Sequence, residues 1–278
     1  MALPPYMTTG QRIWHYGFKV IAITLFVFLL FPLLTIIPLS FNAGEFLYYP
    51  LKGLSLRWYD DFFSSVDWWR AMKNSAIIGF FATILATVLG TVAAVGINRA
   101  NFPGKQILLA FLISPMMIPL VITALSLYLF YARLGMNDTY IGLILAHAIL
   151  GMPFVLITVS ATLQSFNTNL IRAGASLGAS PVKVFFDIIM PNIAPGIASG
   201  AMFAFATSLD EVVVVLFVAG PDHRTLPRQM FTGIREQLSP TILAAATVLI
   251  VVAGLFMLVL EWLNRRNEKM VGPMETKG

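Results

Sequence analysis

Two adjacent carboxylates, Asp210 and Glu211, fall inside an apolar run that spans residues 196–219. In a hydrocarbon setting an ionised carboxylate costs at least about 2.5–3.5 kcal/mol on insertion scales, so something must offset it. Thr207 lies one turn earlier and is within reach of either group. One reading has Thr207, Asp210 and Glu211 lining a translocation path or binding a cation. The other pairs the acids with a loop arginine or a partner subunit. The sequence leaves both open. No other constellation of reactive residues stands out. His15, His147 and His223 are far apart, with no His-Glu-x-x-His or comparable ligand spacing, and such lone histidines are usually structural. Glu261 falls at the end of an apolar run, where an interfacial position is expected, and the scattered methionines read as packing residues. No nucleophile–base pair suggests an intramembrane enzyme. There is no cysteine, which removes disulfides and thiolate metal sites. No Gly-x-x-x-x-Gly-Lys-Ser/Thr phosphate loop is present, so the chain itself is not expected to hydrolyse ATP.

The elements that must position these residues are membrane spans. Of 278 residues, 58% are hydrophobic and only 11% charged, and the mean hydropathy is +0.82. Soluble domains carry about 25% charged residues, so a membrane protein is the class that fits. A hydrocarbon core takes about 20 residues of helix, and six runs qualify: 18–41, 74–98, 106–131, 139–162, 196–219 and 240–263. The first exceeds the apolar stretch of a cleaved signal and lacks an obvious small-residue cleavage site, so it reads as a retained span. The third is interrupted at Ser114-Pro115 and Pro119, and the fourth at Gly151-Met152-Pro153. Such breaks need neighbours or a water-filled path to satisfy the freed backbone. The loop 44–73, rich in Trp58, Tyr59, Trp68 and Trp69, reads as an external segment with interfacial helices. Residues 220–239 read as a polar loop.

Residues 166–195 are the long polar-flanked segment between two very apolar ones. Two short helices account for the pattern. Asn167 suits the start of the first, and Gly178 its end, where a positive φ is needed. Leu170, Ala173 and Leu177 share a face. Ser180 can cap the second helix with Pro181 at its first position. Val182, Phe185, Phe186 and Ile189 share a face there, and Pro191 and Pro195 are expected to end it.

This segment resembles the cytoplasmic coupling loop of the permeases of ABC importers. The family's pattern is Glu-Ala-Ala, three residues, Gly, about nine residues, then hydrophobe-x-hydrophobe-Pro. Here Ala173 fills the first Ala, Gly178 the Gly, and Ile188 with Met190-Pro191 the close. Arg172 stands where the family usually has Glu, and Gly174 where it has the second Ala. A second stretch, Ser208-Leu209-Asp210-Glu211, Gly220-Pro221, Thr225-Leu226-Pro227 and Gly233-Ile234-Arg235, resembles the spermidine/putrescine-type branch.

The resemblance implies an all-α, six-span type I importer permease with paired cytoplasmic coupling helices between spans 4 and 5. It implies an N-terminal tail, first span and external loop over 1–70, a permease core over 71–263 and a basic cytoplasmic tail over 264–278. The chain would sit in a bacterial inner membrane with both termini cytoplasmic. Its partners would be a second permease, by branch habit a paralogue, two ATPases carrying ATP and Mg, and a periplasmic solute-binding protein. The chain itself would hold no cofactor and no metal. Asn167, Leu170, Arg172, Ala173, Gly174, Leu177, Gly178, Ser180, Pro181, Phe185 and Pro191 would contact the ATPase. The solute would be small and charged, a polyamine first. An ion-gradient-driven secondary transporter is the alternative, and inverted repeats would be its mark; none is evident. Basic residues do not sort by side. Arg12, Lys19, Arg99, Lys105, Arg172, Lys183 and the C-terminal cluster of Arg265, Arg266 and Lys269 would lie inside, while Lys52, Arg57, Arg70, Lys73, Arg133, Arg224, Arg228 and Arg235 would lie outside. The orientation therefore rests on the coupling-loop resemblance.

Overall fold

The computed structural model describes residues 8–47, 49–236 and 239–271, so residues 1–7 of the expected N-terminal tail and 272–278 of the expected basic tail lie outside the described residues. In chain order the helices are α1 (Thr9–Ser40), α2 (Arg57–Ser64), α3 (Val66–Arg99), α4 (Lys105–Ile113), α5 (Leu120–Leu134), α6 (Tyr140–Gln164), α7 (Asn169–Ser176), α8 (Pro181–Val184), α9 (Met190–Asp210), α10 (Val213–Val218), α11 (Leu226–Glu236) and α12 (Thr241–Val271). Among the described residues, five helices are long and apolar enough to cross a membrane. They become six if α4 and α5, bent by 99° across Ser114–Met116 and Pro119, form one broken span.

The core is the mutual packing of α3, α6 and α9. Without a hydrophobic drive between helices in lipid, close backbone approach supplies the contact, and that needs small residues. Val155 of α6 shows how tight the approach is. A Cβ on Gly90 of α3 would stand 2.7 Å from Val155 Cβ, and one on Gly200 of α9 would stand 2.7 Å from Val155 Cα. Val155 is thus pinched between two glycines and fully buried. The Gly196–Gly200 spacing does the work its small-residue pattern suggests, with both glycines facing threonines of α6, Thr162 and Thr158. A second apolar cluster joins α5, α6 and α10 through Tyr131, Leu143 and Val214. A third joins α2 to α11 and α12 through Trp58, Phe62, Leu226 and Ala244.

Four expectations need correction. The second span does not begin at residue 74: α3 starts at Val66, with Ser65 accepting the Trp68 N–H, so Trp68 and Trp69 are helical rather than loop residues. The fifth span is not one helix over 196–219. The chain is one spanning helix over Pro181–Asp210, then breaks at extended Glu211 (ψ 115°) before the short α10. Pro191 and Pro195 therefore do not end a helix. Pro191 follows the π turn directly, at the start of α9, and Pro195 lies inside α9, so the continuous helix runs through both. The wider hydrogen-bond ring of a π turn over Phe185–Ile189 absorbs the mismatch, and Asn192 donates its side-chain amide to the Ile188 carbonyl at 2.6 Å. Finally, the polar loop at 220–239 contains α11, an amphipathic helix seated on the bundle by Leu226 and Met230; residues 237 and 238 lie outside the described residues.

Candidate functional site

The hairpin between α6 and α9 is built by local rules. Asn167 Oδ1 accepts the Asn169 N–H at 3.0 Å, two residues on, and α7 follows at once. Gly178 takes φ +80°, the left-handed turn that reverses the chain. Ser180 Oγ then accepts the Lys183 N–H at 3.3 Å, with Pro181 opening α8. The two limbs pack where Gly174 meets the second limb: a Cβ there would stand 2.6 Å from Ile188 Cδ1. Gly174, the second residue of the hairpin to depart from the Glu-Ala-Ala pattern, is what lets Ile188 in. The face of Leu170, Ala173 and Leu177 is exposed, as are Val182 and Phe186 on the other limb, whereas Val184 and Ile189 are buried and Phe185 half-buried. Arg172 is exposed and makes no ion pair among the described residues. Pro191 sits behind the hairpin in α9, not at its tip.

At the other end of the same helix the chemistry is different. Asp210, the last residue of α9, is exposed, while Glu211 is 5% exposed. Glu211 Oε1 accepts the Val214 N–H at 2.7 Å and so starts α10. The buried acid is therefore offset by a backbone donor. Neither carboxylate pairs with an arginine among the described residues, and no hydrogen bond links Thr207 to either. One turn before the break, Ser208 Oγ is 2.7 Å from His147 Nδ1, with both side chains buried.

Beyond the break the chain is clasped to the ends of α3 and α6. Asn74 is fully buried and fully used. Its amide donates to the carbonyls of Asp222 and Arg224, both at 2.9 Å, and its oxygen accepts the Tyr140 hydroxyl at 2.6 Å. Asp138, a non-glycine at φ +58°, accepts from the Gly220 N–H and lies 2.8 Å from His223 Nδ1. Arg70 pairs with Asp222 at 2.7 Å, and Arg228 donates to the carbonyls of Ala219 and Gly220. Burial, with Arg224 alongside, lowers the Arg228 pKa from its ordinary value. His15, His147 and His223 lie on separate elements, and among the described residues no group of three or more His, Asp or Glu side chains is placed to hold a metal. Asn74, Asp138 and Tyr140 had no local signature. Their partners lie 66 to 150 residues away.

Residues 86–272 match the family described as the binding-protein-dependent transport system inner membrane component. The chain is 32% identical over 244 residues to the spermidine/putrescine transport system permease protein PotC of Haemophilus influenzae, covering 87% of this chain and 94% of the relative. It is 34% identical over 251 residues to the putrescine transport system permease protein PotI of Escherichia coli, covering 88% and 89%. Its fold matches a chain in the crystal structure of a bacterial ABC transporter involved in the import of the acidic polysaccharide alginate, with TM-score 0.73 at 18% identity, over 92% of this chain and 96% of that one. A second crystal structure, of a bacterial alginate ABC transporter in complex with a pentasaccharide-bound periplasmic protein, matches at TM-score 0.72 and 17% identity over the same shares.

Proposed function

We propose a function from one premise: the chain belongs to the family of binding-protein-dependent transport system inner membrane components. It is a multi-pass membrane protein of the type I importer permease fold and serves as the permease subunit of an ATP-driven importer. Family membership sets aside the gradient-driven alternative. In our reading the solute is a polyamine. The observation that carries this is the identity of 32% and 34%, over most of the chain, to two permeases named for spermidine and putrescine. The break at Asp210 supports it. A helix C-terminus carries partial negative charge, and Asp210 adds an exposed, unpaired carboxylate there. One ammonium about 4 Å from such a group gains about 4 kcal/mol at an effective dielectric of about 20.

The hairpin at 166–190 takes the cytoplasmic position in this reading, with both termini on the same side. Asn167, Leu170, Arg172, Ala173, Gly174, Leu177, Gly178, Ser180, Pro181 and Phe185 form the surface or the frame by which separate ATPase subunits grip the chain. ATP and its Mg ion bind to those subunits, since this chain has no phosphate-loop motif. Pro191 belongs to the helix behind that surface. The permease pairs with a second permease subunit, by branch habit a paralogue, and receives solute from a periplasmic binding protein. Because α8, the π turn and α9 form one helix, a displacement of the hairpin is delivered to Asp210 with no intervening loop. At 1.5 Å per residue its 30 residues span about 45 Å. The two ends then favour different global states according to which partner is bound.

The test is uptake of radiolabelled spermidine by the reconstituted complex. Asp210→Asn removes charge from an exposed group and leaves the fold intact, so we expect at least a tenfold loss of uptake at low solute with unchanged protein yield. Uptake equal to wild type removes Asp210 from the path.

A further inference from the structure

A groove runs along the bundle between α3 and α12, with α9 as its floor. Its half nearer the clasped end is a cavity of about 230 Å³ that reaches from Met72 to Phe80. Its deeper half is a cavity of about 330 Å³ between Val88 and Ala201, and Phe80 and Phe256 line both. The hydroxyls in the wall are turned inward. Ser75 Oγ accepts the Leu226 N–H at 2.7 Å, Thr83 donates to the Gly79 carbonyl at 2.6 Å, and the Thr87 oxygen is buried. What the groove offers an occupant is hydrocarbon. It is also on the wrong side of α9 for the solute: at 3.6 residues per turn, Phe205 and Ala201 lie about 140° and 180° round the helix from Asp210. No charged side chain among the described residues lines either cavity, so the ammonium groups of a polyamine would go unpaired there.

Length and width select the occupant. From Ala76 to Val88 the α3 wall is about 18 Å long, close to the roughly 15 Å of one leaflet in a core about 30 Å thick. Over that length the two cavities average about 30 Å² in cross-section, whereas a helix about 10 Å across needs about 80 Å². A single acyl chain is the slimmer apolar group that a bilayer supplies. Lipid tails are as apolar as this wall, so the groove alone selects no particular lipid. The residues above it do. Lys73 precedes Phe80 by seven residues and Ile84 by eleven, which puts it within about 20° of both round α3. Trp69, one turn further out, is within about 40° of Lys73. Both are exposed, and Lys73 makes no ion pair among the described residues. Helical side chains lean toward the N-terminus, so Lys73 reaches away from the groove toward Trp69, whose indole suits headgroup depth. Arg70 is already paired with Asp222, which leaves the Lys73 charge for a headgroup of net negative charge.

We propose that this groove is a lipid site. One acyl chain of an anionic phospholipid lies between α3 and α12 against Phe205 and Ala201, and Lys73 holds the headgroup phosphate beside Trp69. The bound chain fills the space flanking the rod just before its break.

The test is native mass spectrometry of the full complex, exchanged in detergent against phosphatidylglycerol or phosphatidylethanolamine. The variants are Lys73→Gln, Ala201→Phe and, as a control at the same end of the bundle, Arg133→Gln; melting temperatures confirm that each is folded. Val88→Trp, on the exposed rim, covers the case in which Ala201→Phe does not fold. We expect wild type and Arg133→Gln to retain one phosphatidylglycerol per chain with at least fivefold preference over phosphatidylethanolamine. Lys73→Gln should lose that preference, and the groove-filling variants should lose the lipid. The same preference in Lys73→Gln as in wild type, or its loss in Arg133→Gln as well, overturns the role of Lys73. Full retention in the groove-filling variants overturns the groove. The chain has no cysteine, so a benzophenone placed on Val252→Cys in native membranes reports the occupant directly. Capture of phospholipid is expected; a cross-link to the second permease would put a helix there and overturn the proposal.

Discussion

The helix Pro181–Asp210 has two ends held by different means. At the hairpin end the polar contacts are short, Asn167 to Asn169, Ser180 to Lys183 and the left-handed turn at Gly178, and its long-range hold is apolar, through Val184 and Ile189 in the cluster that includes Val95 of α3 and Leu163 of α6. At the far end they cross the molecule. His147 reaches Ser208 over 61 residues, Asp138 reaches Gly220 over 82, and Asn74 reaches Arg224 over 150. A unit whose polar contacts are local and whose outer hold is apolar, and so without directional bonds, can slide as one piece. A unit held by other spans can move only if they do. The break at Glu211 falls between the rod, itself held to α6 at Ser208, and the segment clasped to other spans beyond it.

The largest effect should come from making one substitution in both settings. A methyl group on Gly200 would stand 2.5 Å from Thr158 Oγ1 and 2.7 Å from Val155 Cα, the latter a backbone atom that cannot step aside. Overpacking of this kind costs about 1–3 kcal/mol, and we expect the upper end for Gly200→Ala. Gly174→Ala meets Ile188 Cδ1 at 2.6 Å and Val184 Cγ2 at 3.4 Å, both side-chain ends, so a rotamer change of Ile188 relieves it and the loss should stay below about 1 kcal/mol. Thermal melting of the purified variants, followed by size-exclusion profile, separates them. Equal losses would mean that the hairpin is packed as rigidly as the bundle.

A middle-sized effect is expected at the break. Glu211→Ala removes the acceptor of the Val214 N–H and should cost about 1–2 kcal/mol, whereas Glu211→Gln keeps an oxygen there and should cost little. If both variants melt alike, the carboxylate does not set the start of α10 and the joint is held by packing alone.

The same contrast explains what could be read from the chain. The hairpin's reversal, its Ser180-Pro181 start and the close-packing glycines of α9 follow from rules that act over three or four residues. The break at Glu211 leads into the run Val212 to Val215, with no Gly or Pro to mark it. Its stop signal is a side-chain oxygen reaching three residues forward, which apolar counting passes over. Pro191 and Pro195 carry the opposite error. They look like stops, but the helix runs through both, and the π turn ahead of the first supplies the slack. The helix α11 was hidden by its charges, since only Leu226 and Met230 show that one face is seated. Asn74 carried no signal at all, because its three partners come from two distant segments.

The smallest effect on global melting is the sharpest test of independence between the two ends. Gly178 has open space where a Cβ would stand, so Gly178→Ala introduces no clash, and its whole cost is holding an L-residue at φ +80°. That cost is about 1–2 kcal/mol. Since α7 packs on the second limb of its own hairpin, the strain should be released locally, by loosening of α7 against the Ile188 limb. Amide hydrogen exchange over 169–186 should quicken by about five- to thirtyfold, the factor that such an energy corresponds to if those amides exchange by local opening. Exchange in α6 and the melting temperature should hold. A fall in melting temperature with uniform exchange would show that the hairpin unfolds only with the bundle. It would then have no freedom to move as a piece, and a displacement imposed on it would spread through α3 and α6 before it reached Asp210.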